Sequence, residues 1–170
     1  LIDGVNALEM DFGIWVEPEM VNPRSELYKK HPDWTYNYES RTPSLLRHQL
    51  VLNMTKPEVK EYVFGFLDKL LSENNIKYIK WDMNRPFSET GTDNLENGKE
   101  LWYRHSQAIY SIVDQLKEKH PDVQFEACAS GGARTDLGSL SHFDMVWPSD
   151  NTDPVDRLDI QQGYSLLYPI

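Results

Sequence analysis

Apolar positions along the chain alternate between two periods. Short apolar runs ending in polar residues read as strands: "FGIWVEP" (12–18), "HQLVLNM" (48–54), "IKYIKW" (76–81), "VQFEAC" (123–128) and "DMVWPS" (144–149). Between them the spacing changes to that of a helix. Val59, Tyr62, Val63, Phe66, Leu67 and Leu70 form one amphipathic stripe; Leu101, His105, Ala108, Ile109, Ile112, Val113 and Leu116 form another. Thr55 and Glu58 read as a capping box with Pro57 in the first turn, and Asn74-Asn75 closes that helix. A short helix is expected near Leu137–Leu140, and a last one from Pro154 to Leu167. A long loop rich in Pro, Tyr and charge fills Glu19 to about Leu46.

Strands alternating with helices of this length imply a parallel sheet with right-handed crossovers. An open dinucleotide-binding sheet needs a glycine-rich turn after its first strand, and "EPEMVNP" has none. Polar residues instead stand at the end of each expected strand: Glu17, Asn53, Asp82, Cys128 and Asp150. That is the habit of a (β/α)8 barrel, whose active site is assembled from several strand ends. Such a barrel typically takes about 250 residues. The 170 residues, which start inside a helix pattern and stop without a tail, therefore read as part of a single catalytic barrel domain, five strands out of eight, cut at both ends.

The formal net charge of −10 opposes a phosphate backbone or an anionic membrane, and no basic run offsets it. The single cysteine, Cys128, excludes an intrachain disulfide. No apolar stretch approaches the roughly 20 residues that span a bilayer. The five histidines form no H-x-H or H-x-x-x-H pair, so a zinc hydrolase lacks its ligands. His105 lies on an apolar stripe and reads as a packed core residue. Cys128 has no obvious histidine beside it to make it a nucleophile.

The chemistry concentrates in "KYIKWDMNR" (77–85). Lys80 and Asp82 share a strand face. Alone, the pair reads equally well as a structural ion pair. Asp150, at the end of the strand two places further on, gives it a partner. Strands lie roughly 4.8 Å apart, so two inward carboxyls can approach about 5–6 Å. Retaining glycosidases hold theirs at about 5–5.5 Å and inverting ones at about 6.5–9.5 Å, so sequence order permits a nucleophile and acid/base pair without proving one. Trp15, Trp81 and Trp147 offer faces on which a sugar ring can stack, although core packing explains any one of them. Arg47 can donate to hydroxyls. The small residues of "ACASGGAR" allow a close backbone approach to a ligand, or only a tight turn.

"FGIWVEPEMVNPRSELY", "KYIKWDMNR", "EACASGGAR" and "SDNTDPVDRLDIQQGYSLLYP", in this order, closely resemble the catalytic barrel of microbial α-galactosidases of glycoside hydrolase family 36. The resemblance spans essentially the whole chain. It implies a retaining mechanism with Asp82 as nucleophile and Asp150 as general acid/base. It further implies that Lys80 and Arg47 bind sugar hydroxyls, with Lys80 also favouring the ionised form of Asp82, and that Trp15, Cys128, Ser130 and Gly131 line the pocket. The implied partners are α-galactoside oligosaccharides of the raffinose or melibiose type, with no metal, cofactor, nucleic acid or membrane. The parent enzyme is expected to be a cytoplasmic homo-oligomer. The family also carries an aspartate pair on an earlier strand for the sugar's 4- and 6-hydroxyls, and that pair is not in this chain. The same framework serves α-N-acetylgalactosaminidases and galactosyl transferases. Two readings from other classes are a Schiff-base aldolase using Lys80, which the adjacent Asp82 works against, and a non-catalytic carbohydrate-binding remnant.

Overall fold

The structure is a computed structural model and describes residues 1–168. Four parallel strands form one sheet: β1 (Gly13–Val16), β4 (Tyr78–Trp81), β5 (Gln124–Ala127) and β6 (Met145–Val146), in that spatial order. A separate two-stranded antiparallel ribbon joins β2 (Met20–Val21) to β3 (Leu50–Val51). Helices α1 (Ile2–Asn6) and α2 (Glu26–Lys30) are short. The crossovers are α3 (Pro57–Glu73), α4 (Leu101–Lys119) and α5 (Leu137–His142), and α6 (Pro154–Ser165) follows β6. The α/β alternation is that of a partial (β/α)8 barrel.

The sheet register aligns Trp15, Lys80, Glu126 and Met145 in one row, and Val16, Trp81, Ala127 and Val146 in the next. Because side chains alternate, the second row and its neighbours Ile79 and Phe125 face the helices. Ile79, Trp81, Phe125 and Ala127 are buried there with Val59, Val63, Leu67 and Leu71 of α3. The expected α4 stripe is buried at all seven positions, Leu101, His105, Ala108, Ile109, Ile112, Val113 and Leu116. Truncating one such leucine, Leu116→Ala for instance, would cost about 2–5 kcal/mol.

Three expectations change. The sheet has four strands rather than five. The run 48–54 reads like a sheet strand because Leu50, Val51 and Leu52 are all buried, yet Leu50–Val51 pairs antiparallel with β2, Leu52 bridges to Thr35 and Gln49 to Leu46, none of them in the parallel sheet. Asn53 thus ends a ribbon and not a barrel strand. The capping box does not form: Lys56 is the N-cap without a side-chain bond, and the Thr55 hydroxyl donates to Asn53 Oδ1 at 2.5 Å instead. Pro57 does open the helix, and Asn74 caps its end. Tyr62 and Phe66 stay partly exposed, in an aromatic run with Trp34 at the edge of α3.

Candidate active site

The opposite face of the sheet carries the candidate polar residues Lys80, Asp82, Glu126 and Cys128. Trp15 on β1 is 49 % exposed, although its indole N–H is engaged. Asp82, one residue past β4, is buried. Its Oδ2 accepts from Trp15 Nε1 at 2.9 Å and from Asn84 Nδ2 at 2.6 Å. Its Oδ1 accepts from the Met83 backbone N–H at 2.8 Å and, at 3.4 Å, from that of Ser130. Burial alone would push this carboxyl up. The bonds from Trp15, Asn84, the Cys128 thiol and Met83 outweigh it and hold Asp82 below the ordinary aspartate value. Asp82 is thus a carboxylate kept ionised by donors aimed at it. Cys128 is buried, and burial, followed by its hydrogen bond to Asp82 and that group's charge, pushes its thiol up to about 12. It is a donor here and no nucleophile.

Lys80 does not serve Asp82. Its cross-strand partner in register is Glu126, and the ammonium lies 2.9 Å from Glu126 Oε1, though not in hydrogen-bonding alignment. Its other side rests on the Trp147 ring, 3.8 Å from the centroid. Both are partners of an ammonium, which disfavours the aldolase reading. The expectation that Lys80 favours the ionised Asp82 is therefore corrected: donors that carry no formal charge do this, while Glu126 draws the lysine away.

Asp150 stands past β6, on the strand two places from β4 in the sheet, as the sequence order requires. It is exposed, and its Oδ1 accepts from Trp147 Nε1 at 2.9 Å. The Arg157 guanidinium of α6 lies over the same indole, 4.5 Å from its centroid, so Trp147 contacts two cations. Trp15 and Trp147 lie on the open face. Trp81 does not: flanked by Lys80 and Asp82, it points the other way into the core, with its ring edge-on to Phe143. No sugar reaches it.

The turn 128–132 ties the two aspartates' surroundings together. Ser130 and Gly131 both have positive φ, 48° and 87°. A Cβ on Gly131 would come within 3.0 Å of the Asp150 backbone nitrogen, and one on Gly132 within 2.5 Å of the Pro148 carbonyl oxygen. The small residues therefore let this turn pack against the end of β6, while the Ser130 hydroxyl donates to Asn84 Oδ1 at 3.2 Å.

Arg47 is exposed and sits in a two-residue hairpin closed by Leu46 and Gln49, whose N–H donates to the Leu46 carbonyl at 2.9 Å. Arg47 and His48 have φ of 53° and 59°. Positive φ at both central positions is the pattern of a type I′ turn, which favours Asn-Gly. Each non-glycine residue there costs on the order of 1–2 kcal/mol. From the base of the turn, Gln49 Nε2 donates to Glu17 Oε2 at 2.8 Å. Glu17 Oε1 in turn accepts from the Asn84 N–H at 3.1 Å, which connects the hairpin to the Asp82 shell.

A buried network beneath the site went unread in the sequence. Glu19 is fully buried. It accepts from Trp81 Nε1 at 2.8 Å and His105 Nε2 at 2.7 Å, and pairs with Arg134 at 2.7 and 2.8 Å. With the proton on Nε2, His105 Nδ1 accepts from the Tyr36 hydroxyl at 3.1 Å. Burial would push Glu19 up, but the Arg134 charge and the bonds from His105 and Arg134 hold it well below the usual carboxylate range. The network locks "WVEPEM", "KWDMNR" and "ASGGAR" to one another. A wide concavity of about 1100 Å³ lies elsewhere, between the 33–40 and 90–102 segments, and neither Asp82 nor Asp150 lines it.

The sequence profile of the family described as Melibiase matches residues 1–170. The chain is 45 % identical over 168 residues to α-galactosidase AgaA of Geobacillus stearothermophilus, covering 98 % of this chain and 23 % of that protein. It is likewise 45 % identical over 168 residues to α-galactosidase C of Emericella nidulans, covering 99 % of this chain and 22 % of the relative. The crystal structure of AgaA, described as a family GH36 α-galactosidase, superposes with a TM-score of 0.93 at 43 % identity, over 99 % of this chain and 24 % of that one. Variants of AgaA have been solved in complex with stachyose and with raffinose. The chain thus spans less than a quarter of the length of these relatives.

Proposed function

The chain belongs to the Melibiase family, and from that premise we propose that residues 1–170 form part of a single catalytic barrel domain of a retaining α-galactosidase. The substrates are terminal α-galactosides of the raffinose, stachyose or melibiose type, as supported by the ligands of the AgaA complexes. The observation that carries the reading is Asp82: a buried carboxylate on an otherwise open polar face, wrapped by donors and lying on the same rim as Asp150.

In this mechanism Asp82 attacks the anomeric carbon as the glycosidic bond breaks, and Asp150 gives its proton to the departing oxygen. Water then attacks the glycosyl-enzyme while Asp150 takes a proton from it, and Asp82 leaves as the carboxylate it was. Its donors stabilise that leaving carboxylate. Trp15 and Trp147 flank the sugar, and Lys80, held between Glu126 and Trp147, and Arg47 donate to its hydroxyls. Cys128, Ser130 and Gly131 form the wall nearest Asp82. By itself the segment has an uncovered face, and Val155 and Leu158 of α6 are largely exposed, so we expect it to be inactive without the remaining length of its relatives.

Trapping tests this. Full-length protein treated with a 2-deoxy-2-fluoro-galactosyl fluoride, then digested, should carry the added sugar mass on the peptide containing Asp82. Label on another acidic residue, or none under turnover conditions, would overturn the assignment.

A further inference from the structure

Arg85 is buried, and none of its hydrogen bonds among the described residues goes to a carboxylate. Its fork goes to loop acceptors instead. Nη1 donates to the Gln49 carbonyl at 2.6 Å and, at 3.4 Å, to that of Ser44; Nε donates to the Pro86 carbonyl at 2.8 Å; Nη2 donates to the Ser88 hydroxyl at 2.5 Å. Glu89, also buried, completes the clamp. It accepts from the Ser88 hydroxyl at 2.5 Å and from the Ser44 backbone N–H at 3.0 Å. The carbonyls held at Ser44 and Gln49 bracket the turn whose central residues, Arg47 and His48, both carry positive φ. A buried guanidinium is costly unless its donors are all engaged, and a strained turn reverts unless its surroundings hold it. Here the two costs are set against each other.

We propose that Arg85 is a positioning residue that clamps the strained Arg47–His48 turn, so that Arg47 is held ready for the glycoside and substrate affinity is set through the clamp. The inference rests on the proposed α-galactosidase reading, in which Arg47 meets the sugar. Arg85 itself touches neither substrate nor Asp82. Its loss raises KM while the bond-breaking machinery is left in place. Relieving the strain from the other side compensates, because glycine adopts positive φ at the second central position of such a turn without penalty.

The test uses the full-length enzyme, with kcat and KM for p-nitrophenyl α-galactoside and hydrogen exchange of the 44–50 segment. Arg47→Ala should raise KM about 10- to 100-fold, the range of a lost charged hydrogen bond. Arg85→Lys keeps the charge but not the fork. It should raise KM about tenfold with kcat within about twofold, and speed exchange at the Gln49 amide. Adding His48→Gly to Arg85→Lys should return KM to within about threefold of wild type. Should Arg85→Lys fail to fold, Ser88→Ala removes one acceptor and gives the same pattern at about threefold amplitude, again relieved by His48→Gly. Unchanged KM and exchange in Arg85→Lys beside a raised KM in Arg47→Ala overturns the clamp alone. So does a fall in kcat with KM unmoved, or no relief from His48→Gly. Unchanged KM in Arg47→Ala removes the reading on which the clamp depends.

Discussion

At the end of β4 the Asp82 carboxylate is buried and accepts from an indole, a side-chain amide, a thiol and backbone N–H groups. At the end of β6, Asp150 is exposed and receives one side-chain bond, from Trp147. Both residues follow parallel strands of one sheet, two positions apart, Asp82 directly after β4 and Asp150 further along the loop after β6. The difference lies in what the neighbouring loops bring. Donors surround Asp82, the group that in the proposed mechanism must stay ionised, attack carbon and leave again as an anion. Asp150, the proton donor of the proposed mechanism, accepts a single side-chain bond, again from an indole. On the proposed mechanism, two carboxylates acquire two roles from their surroundings rather than from their type.

The sharpest way to break this comparison is to remove each carboxylate in the full-length enzyme. Asp82→Asn should lower kcat/KM about 10⁵-fold or more, whatever the leaving group, because no nucleophile replaces it. Asp150→Asn should cost about 10²- to 10⁴-fold on raffinose, and much less on an aryl galactoside whose leaving group needs no proton. Equal losses on both substrates in the two variants would erase the distinction of roles. Steady-state kinetics with the two substrates decides it.

Glu19→Gln tests the floor under both sites. It strands the Arg134 charge in the core and should destabilise the protein by about 3–5 kcal/mol, read from denaturant unfolding. The pH dependence has a definite sign. Glu19 is held below its unfolded value of about 4.3, so its stabilisation is complete above that pH and drains away as pH falls towards the folded value. The gap between wild type and Glu19→Gln should therefore narrow below about pH 4.

Trp15→Phe is the mildest perturbation. It deletes one donor to Asp82 and keeps the ring. kcat/KM should fall about tenfold, and the acidic limb of its pH profile should move up, because the charged form of Asp82 loses support. An unmoved limb would mean that Trp15 does not help keep Asp82 ionised.

Much of this was legible in the chain. The α4 stripe predicted its buried face residue for residue, because one helix packs against one sheet and the 3.6 period has a single solution. That Asp82 and Asp150 follow parallel strands two places apart was legible from the strand pattern. The 48–54 run misled because an apolar ribbon buried on both sides has the same pattern as a barrel strand. Strict alternation already puts Trp81 on the face opposite Lys80 and Asp82. Glu126 also carried a signal: a glutamate within "VQFEAC", two residues before Cys128 and on its face, opposite Lys80. The Glu19–Arg134 pair carried none. Its members are 115 positions apart, and only the folded chain brings them together. The Arg47 turn was equally hidden, since Arg-His is not a sequence from which a left-handed turn is expected.

The division of labour between the two aspartates is tested most directly by azide rescue, with product anomers read by NMR. In Asp82→Gly, azide takes the place of the missing nucleophile, makes one displacement at the anomeric carbon and gives β-galactosyl azide. In Asp150→Gly with an activated aryl galactoside, Asp82 still forms the glycosyl-enzyme. Azide makes the second displacement and gives α-galactosyl azide. That pairing is the expected result. The α-azide from Asp82→Gly together with the β-azide from Asp150→Gly would contradict it and exchange the two roles.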